Sequence, residues 1–241
     1  MTDGKDDIRR RVWRAMEEKK VGRFPFPLQH RIPNFKGAEV AARRIATLPV
    51  YSKAETVKVN PDAPQLPLRA QVLADGKTLL VPTPRLKAGF IQVKSEWVPP
   101  GEERKAASLS RMRAYGRELP LSELPRIDLF VVGSVAVHRD GRRLGKGEGY
   151  ADREYAIIRE LGHPEVPVAG TVHSIQVVED DFPVFPHDLT VDWIATEKEL
   201  IETKSPYPKP SGIEWGDVTE EELKAMPVLE DLRQTLRQEK D

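Results

Sequence analysis

Cysteine is absent from the 241 residues, which excludes disulfides, zinc thiolates and thiol catalysis together. No apolar run approaches the ~20 residues needed to span a bilayer. The first residues, 1–14, are charged throughout and lack the apolar stretch of a secretory signal. The expected compartment is therefore the cytoplasm, with no membrane partner. Net charge is missing as well: Lys+Arg and Asp+Glu stand at 38 each, so no global field attracts nucleic acid or anionic lipid. The run Arg9-Arg10-Arg11 beside Trp13 reads as a solvated helix face. His30, His138, His163, His173 and His187 show no His-x-x-x-His spacing, and none reads as a catalytic metal ligand. Ser134 sits in Gly-Ser-Val rather than Gly-x-Ser-x-Gly, which argues against an α/β-hydrolase. No internal repeat is visible, and nothing in the sequence fixes an oligomeric state.

What remains is a globular composition, 39% hydrophobic and 32% charged, in a chain long enough to bury a full core. No Gly/Ser or charge-rich linker divides it, so one domain over 1–241 is expected, with a charged helical tail from about residue 218, broken at Pro227. Residues 5–20 read as an amphipathic helix with Ile8, Val12, Ala15 and Met16 on one face. Residues 23–33, rich in proline and aromatics, read as an extended crossing, and 38–47 as a second helix. The continuous apolar runs 78–81 and 129–132, with 166–172 and 190–195, read as buried strands. Residues 102–114 and 152–161 have helical periodicity between them. Strands alternating with helices predict an α/β layered sheet.

The strongest local signal is Arg142-Arg143-Leu144-Gly145-Lys146-Gly147-Glu148-Gly149-Tyr150-Ala151-Asp152, which follows the turn Asp140-Gly141 and opens a helix. Alternate glycines let backbone N–H groups converge, and the helix N-terminus adds positive potential. Arg142, Arg143 and Lys146 add charge for phosphate. The same pattern also suits a flexible turn. A second signal comes from helix geometry. At about 100° per residue, Lys5 projects within the stripe of Ile8, Val12 and Met16, and Arg9 lies at its edge. A cation there needs an anion, either a ligand phosphate or a protein carboxylate, unless Lys5 snorkels from a frayed end. Asp152 stands where a Mg²⁺ ligand would sit beside nucleotide phosphates, and Asp192 is a charge within the apolar run Val191-Asp192-Trp193-Ile194. Taken singly, Asp152 reads equally as a helix N-terminal acid and Asp192 as a strand-end or salt-bridged residue.

Together these features resemble the 5-formyltetrahydrofolate cyclo-ligase (methenyltetrahydrofolate synthetase) family. Its hallmark, Arg-Leu-Gly-x-Gly-x-Gly-Tyr-Tyr-Asp after a polar-Gly turn, is similar to residues 143–152 (RLGKGEGYAD). Its N-terminal Lys-x-x-x-Arg is matched by Lys5 and Arg9, and its late Val-Asp by Val191-Asp192. A closer resemblance, over nearly the whole chain, is to the cyclo-ligase-like part of methenyltetrahydrofolate synthetase domain-containing proteins. It is carried by residues 30–37 (HRIPNFKG), 77–86 (KTLLVPTPRL), 131–137 (VVGSVAV), 145–152 and Pro210-Ser211-Gly212-Ile213-Glu214-Trp215.

The resemblance implies a three-layer αβα sandwich with a mostly parallel sheet, like the phosphosugar isomerase and CoA-transferase group. It implies an ATP- and Mg²⁺-dependent ligase that turns 5-formyltetrahydrofolate into 5,10-methenyltetrahydrofolate, with a nucleotide and a reduced folate as partners. Lys5, Arg9, Arg143, Gly145, Lys146, Gly147 and Gly149 would hold ATP phosphates. Asp152 and Asp192 would bind Mg²⁺, and Tyr150 would border the folate. The departures leave the nucleotide half better preserved than the folate half. The family's acidic Asp-Glu-x-x-Thr segment is replaced by Val59-Asn60-Pro61-Asp62-Ala63-Pro64, the second loop tyrosine by Ala151, and Pro-Gly by Gly133-Ser134, while Glu148 puts a negative charge into the loop. Two rival readings follow: an ATP-dependent ligase on a different substrate, and a nucleotide- or folate-binding regulatory homologue with little turnover.

Overall fold

Apolar runs with no polar face can pair only inside a sheet that is covered on both sides, and the protein is built around such a sheet. The structure, a computed structural model, describes residues 4–238; residues 1–3 and 239–241, the ends of the expected charged start and helical tail, lie outside them. In chain order the first strands are β1 (Gly22–Arg23), β2 (Asn34–Phe35), β3 (Thr56–Val59), β4 (Thr78–Pro82), β5 (Phe90–Lys94) and β6 (Arg117–Leu119). Then come β7 (Leu129–Val132), β8 (Ala136–His138), β9 (Arg143–Leu144), β10 (Val168–Thr171), β11 (Val177–Val178), β12 (Trp193–Ala195) and β13 (Leu200–Glu202). The helices are α1 (Gly4–Glu18), α2 (Ala38–Ala46), α3 (Pro49–Lys53), α4 (Leu66–Ala74), α5 (Glu103–Ala106), α6 (Tyr150–Glu160), α7 (Glu220–Ala225) and α8 (Pro227–Gln238).

The main sheet runs β13-β12-β10-β7-β3-β4-β5-β6. Its inner strands, β12, β10, β7, β3 and β4, are parallel, and β13, β5 and β6 close the edges antiparallel. Side chains alternate between two cores. Val57, Val59, Leu79, Val81 and Val131 face the helices at the front of the chain, with Ile8, Val12 and Met16 of α1, Ala41 and Ile45 of α2, and Leu68 and Val72 of α4. Leu80, Phe130, Val132 and Val168 face Tyr155, Ile157 and Ile158 of α6, with Leu223 of α7 and Leu229 of α8 behind. Each Val, Leu, Ile, Phe or Met side chain among them, taken from water, contributes roughly 1.5–3 kcal/mol. The result is the three-layer αβα sandwich expected from the sequence. Smaller sheets, β1-β2 and β11-β8-β9, lie outside it. No helix among the described residues is long and apolar enough to cross a membrane.

The expected helices at 5–20, 38–47 and 152–161 correspond to α1, α2 and α6, and Pro227 begins α8 where the tail was expected to break. The expected helix at 102–114 is shorter: α5 ends at Ala106, and a 3₁₀ turn at Met112–Ala114 follows. Ser108 explains the break, because its hydroxyl bonds back to the Lys105 carbonyl at 2.7 Å and competes with helical pairing there. The central strand β3 has no counterpart among the expected strands.

Candidate nucleotide and folate site

In a doubly wound sheet, ligands sit where neighbouring strands send their connections in opposite directions. From β3 the chain passes through α4 to β4 on one side; from β7 it passes through β8, β9 and α6 to β10 on the other. Because β3 and β7 are parallel neighbours, a crevice opens beyond their C-terminal ends. A cavity of about 350 Å³ lies there, bordered by Asn60 and Asp62 after β3, Thr83 after β4, Gly133 after β7, and the glycine loop. It adjoins a wider groove of about 1000 Å³ that runs past Arg31 and Arg104.

The glycine loop leaves the β8–β9 hairpin and runs into α6. Gly147 and Gly149 have φ of 109° and 69°, a left-handed conformation that other residues adopt at a cost. Gly149 caps α6, and the first helical bond of α6 runs from the Arg153 N–H to its carbonyl. The N–H groups of Tyr150, Ala151 and Asp152 are thus free of helical partners, a geometry that suits an anion. The loop joins a strand to a helix, as its sequence predicts.

Arg9 reaches this loop from α1. Its Nε donates to the Gly145 carbonyl at 2.8 Å, and its guanidinium carbon would stand 4.0 Å from a Cβ placed on Gly147. A further guanidinium nitrogen pairs with Asp6. Lys5, one turn earlier, is largely buried as its stripe position predicts, but its anion is a protein carboxylate: Nζ lies 2.9 Å from Asp188 Oδ2 and 4.6 Å above the Phe185 ring. Lys146 borders the cavity and pairs with Glu148 at 2.8 Å. Arg142 does not face the cavity; its guanidinium turns to Asp140, Asp181 and the Phe182 carbonyl.

Arg143 is buried, donating to the Gly133 carbonyl at 3.1 Å and to Asp152 Oδ1 at 2.8 Å. The same Asp152 oxygen accepts from the Leu189 N–H at 2.9 Å, so Oδ2 is the oxygen left over. Asp192 has other partners. Its oxygens accept from the Val168 N–H at 2.8 Å and from Lys209 at 2.8 Å, which ties it to the beginning of β10. The Arg143–Asp152 pair is tied to Gly133, past the end of β7. The two carboxylates thus take separate protein partners. Among the described residues no group of three or more His, Asp or Glu side chains is arranged to hold a metal ion.

Sequence reasoning missed several residues of this site. Lys58, fully buried in β3, projects toward α6 and meets Glu154 at 2.6 Å. Asp62 and Glu154 both border the cavity. Burial pushes both carboxyl groups above the ordinary carboxylate range, and burial pulls the Lys58 ammonium below the usual lysine value while Glu154 opposes it. Arg69, also buried, is drawn down to about 10 by desolvation and stays charged at neutral pH, donating to the carbonyls of Asn60 and Asp62. The segment containing Phe185 and Asp188, which links α1 to α6, carried no signal in the sequence.

Residues 2–197 match the sequence model of the 5-formyltetrahydrofolate cyclo-ligase family. The chain belongs to that family. Over 97% of its length it is 46% identical to the methenyltetrahydrofolate synthase domain-containing protein of Mus musculus, of which it spans 64%. It is 30% identical to the 5-formyltetrahydrofolate cyclo-ligase of Mycolicibacterium smegmatis over 60% of this chain and 73% of that one. Among solved structures, the 5,10-methenyltetrahydrofolate synthetase of Aquifex aeolicus superposes with a TM-score of 0.51 at 20% identity, covering 85% of this chain and 95% of that one, a likeness of fold. Tyr150 and Ala151 both border the cavity, so where the resemblance expects a second tyrosine this wall carries a methyl group.

Proposed function

We propose that the protein is a cytoplasmic ATP-dependent ligase that converts 5-formyltetrahydrofolate into 5,10-methenyltetrahydrofolate. The observation that carries this reading is the glycine loop, clasped by Arg9 and opening α6, on the wall of a cavity at the sheet's switch point. The formyl oxygen would take the terminal phosphoryl group of ATP, releasing ADP. The folate N10 would then attack the activated carbon and lose its proton, and phosphate would depart with the former formyl oxygen.

The groups lining the cavity suit positioning and charge neutralisation rather than strong-base chemistry. The loop N–H groups, with Arg9 and Lys146, would bind the phosphates, and Lys5 would join them by exchanging Asp188 for a phosphate oxygen. Arg143, already committed to Asp152 and Gly133, would hold the loop in shape. Asp152 would offer one oxygen, Oδ2, to Mg²⁺ carried on the phosphates, consistent with the one or two carboxylates that ion usually takes; the ion would supply charge for the phosphoryl transfer. Tyr150 would border the folate. The deciding experiment is the absorbance of methenyltetrahydrofolate formed by purified protein with ATP, Mg²⁺ and 5-formyltetrahydrofolate. Turnover that requires all three supports the reading. ATP binding without any binding of the folate would move the protein to another substrate.

A further inference from the structure

The cavity is polarised. Its loop wall offers N–H groups and cations, but its floor offers acceptors. Glu154, 6% exposed, gives Oε2 to the Lys58 ammonium at 2.6 Å. Lys58 also donates to Asn60 Oδ1 at 2.5 Å, and the Asn60 amide nitrogen donates to Asp62 Oδ2 at 3.3 Å. The face of Phe130 lies 3.8 Å from the same ammonium. This chain, Glu154–Lys58–Asn60–Asp62, leaves Glu154 Oε1 and Asp62 Oδ1 with no hydrogen-bond partner among the described residues. Both residues border the cavity. Acceptors open to a cavity are best met by a ligand that brings N–H donors. A phosphate, which is all acceptor, would be repelled there.

We propose that Glu154, held in place by Lys58, determines substrate specificity: with Asp62 it accepts the N–H groups on the 2-aminopyrimidinone edge of the substrate. This rests on the folate reading given above. Glu154 stands two positions after Asp152 on α6, so one rigid helix would carry both the phosphate end and the heterocycle end of the site.

The test is isothermal titration of the full chain with 5-formyltetrahydrofolate, its 2-desamino analogue and ATP, each separately. The wild type should prefer the 2-amino compound by about tenfold or more. Glu154→Gln, which replaces an acceptor oxygen with an amide donor, should bind 5-formyltetrahydrofolate about tenfold more weakly and lose most of that preference, with ATP affinity unchanged within about twofold. Because Glu154→Gln leaves Lys58 without its counter-charge, the paired K58M/E154M protein provides a second measurement in which no buried charge is unpartnered. Retention of wild-type folate affinity and preference by K58M/E154M would reduce the pair to a structural one and overturn the inference, leaving the cyclo-ligase reading intact. A wild-type protein that binds neither folate would overturn both.

Discussion

The Nε of Arg9 donates to the Gly145 carbonyl at 2.8 Å, so the first helix of the chain grips the glycine loop directly. The bond fixes the guanidinium beside the loop, ready for an anion. Arg9→Ala should weaken ATP binding by roughly 10- to 100-fold, the value of a hydrogen bond to a charged group. Its cost in stability should be about 1 kcal/mol, since the pair with Asp6 is exposed on one side. Arg9→Lys should recover part of the affinity, restoring charge without the planar fork. Titration calorimetry with a urea curve on each variant separates the two effects, and equal ATP affinity in Arg9→Ala would count against the loop as a phosphate site.

The two aspartates should behave differently. Asp152→Asn leaves Arg143, only 2% exposed at its side chain, without a counter-charge, and should cost about 2–3 kcal/mol, less than a fully buried pair because Asp152 is partly exposed. It should also weaken Mg·ATP binding, on the order of tenfold, by removing the proposed single ligand. Asp192→Asn should cost about 1 kcal/mol, through Lys209 and Val168, and leave Mg·ATP affinity alone. Urea midpoints and Mg·ATP titrations of both variants check this. Equal loss of Mg·ATP affinity in the two would show that Asp192 reaches the nucleotide after all.

The sequence was most legible where one rule governs a segment. The run Leu129–Val132 is apolar at every position and became β7; the stripe of Ile8, Val12 and Met16 placed Lys5 on the inward side of α1. The strand β3 escaped because its centre is Lys58, and a lysine in a short run argues for a surface. What makes Lys58 tolerable is Glu154, 96 residues away in sequence, and no local pattern encodes a partner that distant. Asp62 was hidden for a similar reason: Val59-Asn60-Pro61-Asp62 reads as a turn, and the crevice it faces exists only once β3 and β7 are neighbours. Conversely, Asp152 and Asp192 looked alike as sequence signals, and what tells them apart is their partners, Arg143 and the Leu189 N–H for one, Lys209 and the Val168 N–H for the other.

Acid should destabilise the protein through its buried histidines. His173 Nδ1 accepts from the Ile175 N–H at 3.1 Å, which requires that nitrogen to be unprotonated. Burial holds both His173 and His163 below the ordinary histidine value, with Glu197 partly opposing the shift at His173. The unfolded chain therefore takes up protons first, near pH 6.5. Stability should be full above that pH and fall as pH drops toward the lower folded-state values. The paired variant His173→Asn/His163→Gln, in which Asn keeps a capping acceptor, should show a shallower loss between pH 7 and 5 than the wild type. Urea midpoints across that range decide it, and identical slopes in the two proteins would exclude the histidines as the cause.

The folate side of the site should be improvable at Ala151. This residue borders the cavity beside Tyr150 at the first turn of α6, where the family hallmark has a second tyrosine. Losing an aromatic wall forfeits about 0.5–1.5 kcal/mol of ring contact, while the phosphate half of the site, built from backbone N–H groups and cations, does not depend on it. Ala151→Tyr should therefore raise affinity for 5-formyltetrahydrofolate by roughly 2- to 10-fold and leave ATP affinity unchanged. The KM for the folate should fall by a similar factor, with kcat moving less, because stacking holds substrate and transition state alike. A tyrosine that lowers folate affinity instead would mean that the space left by Ala151 is already filled by the substrate, and that this member of the family has reshaped its cavity around a bulkier ligand.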